Sequence, residues 1–161
     1  MKKRMIESLK KTLHDGMIKN FEKDGFLTPV LFFIKNEEPS ITIIPNDLLS
    51  TPNGKQILAK VIKQICAQPN VFCAGIIIEG YGARLNVDSE MSKLVKNGNI
   101  KVSELKENLD IILMIISTPE GDDVISYQVD CENKTVGDRF IEEGKNSFAG
   151  TFSNFFEWTQ N

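Results

Sequence analysis

Three acidic side chains stand where apolar runs of this 161-residue chain begin or end. Glu79 closes the run from Phe72 to Ile78, Asp110 precedes Ile111 to Ile116, and Asp130 closes the run from Val124 to Val129. If these runs are neighbouring strands, the three carboxylates can meet at one end of a sheet, where they would bind Mg²⁺ or share a proton. Tyr81, Arg84 and Arg139 are the ligand-binding candidates beside them, the two arginines as counter-charges or as clamps for an anion. The expected chemistry is that of a small-ligand binder or a hydrolase-like enzyme, with Glu79, Asp110 and Asp130 as catalytic candidates. Nothing in their spacing demands it, since strand-end acids are commonly solvated.

The other reactive residue types point away from catalysis. His14 is the only histidine, so no zinc site or histidine dyad can be completed, and a structural or surface role is expected. Gly80 and Gly82 follow an apolar run, but neither a GxGxxG nor a GxxxxGK[ST] pattern surrounds them, and a strand end with a bulge accounts for both. Cys73 lies inside an apolar run and reads as a small core residue. Cys131 is flanked by acids, which raise a thiol pKa rather than activate it. No metal and no cofactor is expected, and a non-enzymatic role is favoured.

Composition narrows the partners. The formal charge of -3 and the acidic pI near 5.3 argue against nucleic acid, which requires a concentrated basic surface. Lys2, Lys3, Arg4, Lys10 and Lys11 are interleaved with apolar residues at helical spacing and read as a solvated helix face. No apolar run approaches the roughly 18 residues of a membrane span, and no apolar leader follows the basic N-terminus. Three cysteines without CxxC spacing suit a reducing compartment, so the expected location is cytoplasmic.

The elements that would position these residues follow from periodicity. Met5, Ile6, Leu9, Leu13, Met17 and Phe21 repeat every three to four residues and predict a helix over 2–23, stopped by Asp24-Gly25. Leu27 to Ile34 and Ile41 to Ile44 read as a hairpin broken at Asn36-Glu37-Glu38-Pro39, with Pro29 at a strand start or on an edge. Thr51-Pro52 caps a second helix whose apolar stripe runs from Ile57 to Cys66. Strands are expected at 72–81, 109–117 and 124–131, the last two joined by the turn Thr118 to Asp122. Residues 82–108 form a polar insertion, with a short helix suggested by Met91, Leu94 and Val95.

Six of the thirteen aromatic residues fall in the last 22 positions, and Phe148, Phe152, Phe155 and Phe156 share one helical face. Together with Trp158 they make an apolar arm, taken as 137–161, that must be covered. Val30 to Ile34, Ala74 to Ile78 and Ile111 to Ile116 are apolar at consecutive positions, so both sheet faces avoid water. The expectation is one α+β domain over 1–161, in the order α-β-β-α-β-insertion-β-β-α. Its mainly antiparallel five-stranded sheet carries two helices on one face and the aromatic arm on the other. The arm then packs in cis or on a second subunit, which makes it the candidate interface of a protein-interaction or oligomerisation module, acting as a homodimer or on another protein.

The segment Phe21-Glu22-Lys23-Asp24-Gly25-Phe26-Leu27-Thr28-Pro29-Val30, followed by a hairpin, a helix and a strand ending in Glu79, resembles small uncharacterised proteins of bacteria and their phages. These share a helix, a "DG-hydrophobic-x-P" strand start and a later strand with an acidic end. The resemblance covers about positions 15 to 81. It implies the same order of elements and a phage-encoded origin, with no activity or ligand to carry over. The Asn- and Lys-rich insertion here replaces the acidic and arginine-rich stretch of that family.

Overall fold

The N-terminal apolar repeat folds as α1 (Lys2–Asp24). Gly25 ends it in the left-handed conformation, φ 76°, and its N–H closes the last turn on the Phe21 carbonyl at 2.7 Å. The computed structural model describes residues 1–82, 89–101, 104–105, 108–139, 152 and 155–156.

Strands β1 (Val30–Lys35) and β2 (Glu38–Ile43) form the expected hairpin. Its two-residue turn, Asn36-Glu37, has φ values of 53° and 64°, the primed turn geometry that matches the twist of paired strands. A 3₁₀ turn (Asn46–Leu48) leads to α2 (Pro52–Cys66), where the Thr51 hydroxyl accepts the Gly54 N–H at 3.0 Å and Pro52 occupies the first turn. β3 (Val71–Gly82) follows, then α3 (Glu90–Lys96) within the polar insertion, β4 (Leu109–Thr118), β5 (Gly121–Asp130) and β6 (Thr135–Arg139).

The six strands make one antiparallel sheet in the order β2-β1-β3-β4-β5-β6. The α+β class and the antiparallel sheet agree with expectation, whereas the count of five strands is corrected to six. β6 escaped the pattern because TVGDR carries one large apolar side chain, Val136, and its backbone pairing with β5 supplies what its hydrophobicity does not. The strand also takes residues 137–139 from the span expected for the aromatic arm.

The placement of helices is a second correction. α1 and α2 lie on opposite faces of the sheet. Leu13, Met17 and Phe21 of α1 pack with Phe32, Ile77, Ile112 and Met114. Leu58, Ile62 and Cys66 of α2 pack with Leu31, Ile76, Leu113 and Ile115 on the other face. Alternation along β1, β3 and β4 sends successive side chains to the two clusters, so each face needs its own cover. Six strands span about 24 Å, and a helix is only about 10 Å across, so α2 shares its face with Phe152, Phe155 and Phe156. These three rings are buried against their own chain. In the middle of the sheet Gly75 faces Phe32, and a Cβ there would stand 2.1 Å from the Ile115 carbonyl oxygen and 2.4 Å from the Phe32 ring. The glycine thus makes room for a fully buried aromatic ring.

Candidate functional site

Glu79, Tyr81 and Asp110 share the α1 face at one end of the sheet, where Tyr81 pairs with Asp110 across β3 and β4. With Gly80, Ile111, Val129 and Cys131 they line a cavity of about 250 Å³. The Glu79 carboxylate reaches the segment between α1 and β1, accepting the Leu27 N–H at 2.7 Å. Partial burial pushes its pKa up, the Leu27 hydrogen bond opposes this, and nearby Asp110 adds to the rise. The Cys131 thiol donates to Asp110 Oδ2 at 3.9 Å, and burial together with the acids Asp110, Glu79 and Asp130 raises its pKa.

Asp130 does not join this group. One place along β5 reverses its side-chain direction, and its carboxylate accepts the N–H groups of Glu132 and Asn133 at 3.0 and 3.1 Å and the Asn133 amide at 2.7 Å. Those bonds hold its pKa below the usual aspartate value and commit it to the turn before β6. Two of the three acids therefore converge. Among the described residues no group of three or more His, Cys, Asp or Glu side chains is placed to hold a metal ion. Arg139 is half-buried and pairs with Tyr127 at the β5–β6 ladder, strands away from Glu79. Arg84, Phe148 and Trp158 lie outside the described residues.

The remaining reactive groups are spoken for. His14 meets the Tyr127 hydroxyl at 2.7 Å and Asp15 at 3.1 Å, tying α1 to β5. Lys10 pairs with Asp123 beside the β4–β5 turn, so part of the basic N-terminal helix face is matched by acids of its own chain. Burial pushes the Cys66 and Cys73 thiols up to about 12, which leaves them protonated and unreactive near neutrality.

A different feature appears at the opposite side of the sheet. β2 is an edge strand, and among the described residues no strand covers its outer side. The Ile44 N–H donates to the Pro29 carbonyl at 2.9 Å, which sets the ladder's phase. In antiparallel pairs alternate residues turn both backbone polar groups to the same neighbour. Glu38, Ser40, Thr42 and Ile44 thus address β1, while Pro39, Ile41 and Ile43 address the outside. Proline at an outward position costs the β1–β2 ladder no donor.

The side chains of Ile41 and Ile43 pair with Phe32 and Val30 on the α1 face, yet they are 57% and 66% exposed. Phe26, 58% exposed, stands near them at the end of α1. With Thr12, Met17, Asn20 and Val30 these residues line a groove of about 400 Å³ between α1 and the edge. Gly16 forms part of its wall, with open space where a side chain would project. The pattern Ser40-Ile41-Thr42-Ile43 carried the signal for this surface: strict alternation on a strand next to a proline marks an edge with one apolar side. Only the strand order showed that α1 does not reach far enough to cover it.

In comparisons with family models, curated proteins and solved structures, none matches this chain. Among the described residues no helix is long and apolar enough to cross a membrane.

Proposed function

We propose that this protein is a non-enzymatic contact module of the cytoplasm that works by pairing its β2 edge with another polypeptide strand. The free edge carries the reading. Ile41 and Ile43 direct backbone donors and acceptors outward and expose apolar side chains beside a groove. Strand addition uses these two components, main-chain hydrogen bonds for affinity and alternate side chains in a groove for specificity. Three free cysteines, one of them exposed, fit a reducing compartment.

The acidic strand end supports a ligand-binding or hydrolase-like reading less well. Its cavity of about 250 Å³ falls below the roughly 300 Å³ where small-molecule sites begin, and Asp130 is engaged elsewhere.

The test is a photo-reactive amino acid placed at Ile43 in producing cells, with Glu132, exposed in the turn before β6, as the control position. Covalent protein adducts are expected from position 43 and not from 132. No adduct at 43, or equal capture at both positions, overturns the reading.

A further inference from the structure

Resting on the contact reading above, we infer that the partner strand is the β2 of a second copy of this chain, paired antiparallel about a two-fold axis at Thr42. The outward row of the edge is a palindrome. Pro39, Ile41, Ile43 and Pro45 lie symmetrically about Thr42, and Pro45 is still extended, with φ -60° and ψ 136°. A two-fold antiparallel contact sets each residue against the one equally far on the other side of the axis, so about Thr42 isoleucine meets isoleucine and proline meets proline.

The register satisfies every donor on the row. Ile41 of one copy exchanges both backbone hydrogen bonds with Ile43 of the other, and the same pair recurs across the axis. The next outward pair on each side is Pro39 against Pro45, neither of which has an N–H to leave unsatisfied. A shift of two residues, to Ile41 against Ile41, would make as many hydrogen bonds but set each Ile43 against Pro39, leaving one isoleucine pair where the Thr42 register has two. Isoleucine pairing thereby sets the register, and the prolines close the edge to longer or open-ended strand addition.

Side chains follow the same symmetry. Ile41 and Ile43 of the two copies line up on the α1 face as one apolar strip, each pair directly opposite. On the reverse face the two Thr42 side chains, exposed in the single chain, meet at the axis. Two six-stranded sheets become one continuous sheet. So short a contact belongs to the weak class of interfaces, with dimers forming only as the concentration rises.

Thr42→Cys in a Cys131→Ser background tests the register. Across the new contact Thr42 forms a non-hydrogen-bonded pair with Cα atoms about 4.5 Å apart, within disulfide reach, while Ser40 meets Ile44 instead of itself. Cys66 and Cys73 are buried and do not compete. Mild oxidation should give a covalent dimer of Thr42→Cys about tenfold faster than of Ser40→Cys, as the pairing geometry requires. In sedimentation equilibrium the wild type should shift toward twice 18.1 kDa as concentration rises, and Ile43→Lys should remain at 18.1 kDa. Equal oxidation rates, or a wild type that stays monomeric throughout, overturn the inference. If position 43 then still captures other proteins in cells, the contact reading stands and only the self-pairing falls; if it captures nothing, both fall.

Discussion

At the scale of single residues, Glu79 is a carboxyl whose ionisation the fold penalises. Burial raises its pKa above the ordinary 4.5, although the Leu27 N–H stabilises the charged form. A carboxyl raised in the folded state contributes stability below its unfolded pKa and loses it as pH rises through the folded value. Wild type should therefore lose stability as pH rises from 4.5 through the higher folded value. Glu79→Gln keeps an oxygen for Leu27 and removes the titration. Its urea midpoint should exceed that of wild type at pH 7, with the difference shrinking below pH 4.5. A variant less stable than wild type at pH 7 but not below pH 4.5 would show that the charge itself is needed. The acidic residues at strand ends were visible in the sequence. Which of them meet was not, because a shift of one residue along β5 turns Asp130 away from Glu79 and Asp110.

Elements were legible where local chemistry dictates geometry. Gly25 accepts the left-handed conformation that stops α1, and Thr51 with Pro52 starts α2 without help from tertiary contacts. The β1–β2 turn is legible for the same reason but imperfectly built. Glu37 adopts φ 64°, where a side chain other than glycine or asparagine is strained. Glu37→Gly should raise stability by about 0.5–1 kcal/mol, read from the shift of the denaturation midpoint at unchanged slope. An unchanged or lower midpoint would mean that the Glu37 side chain makes up for its backbone strain. β6 is the opposite case. Its pairing with β5 decides its conformation, and a five-residue strand with a single large apolar side chain leaves no periodic mark.

At the scale of the whole molecule, among the described residues α1 covers one face of the sheet and α2 the other, with Phe152, Phe155 and Phe156 completing the α2 side. Phe155 is fully buried there. Phe155→Ala should cost about 3–5 kcal/mol through lost transfer energy and the cavity left behind. Because the ring packs within its own chain, that difference between wild type and variant should be the same in urea titrations at low and high protein concentration. A cost that grows with concentration would place the ring in a partner subunit. At the β2 edge α1 leaves Phe26, Ile41 and Ile43 exposed beside a groove.

Composition and periodicity by themselves determined that this chain builds an α+β domain with two dry sheet faces, because side chains alternate along a strand whatever its neighbours are. They also determined the helix boundaries and the β1–β2 turn, which depend on bonds between residues close in sequence. Strand order, the division of helices between faces and the exposure of Ile41 and Ile43 were decided only in three dimensions. Each is a property of which distant segments lie side by side, and many arrangements satisfy the same alternation. The selection among them comes from burying both faces at once, a condition that no single segment carries.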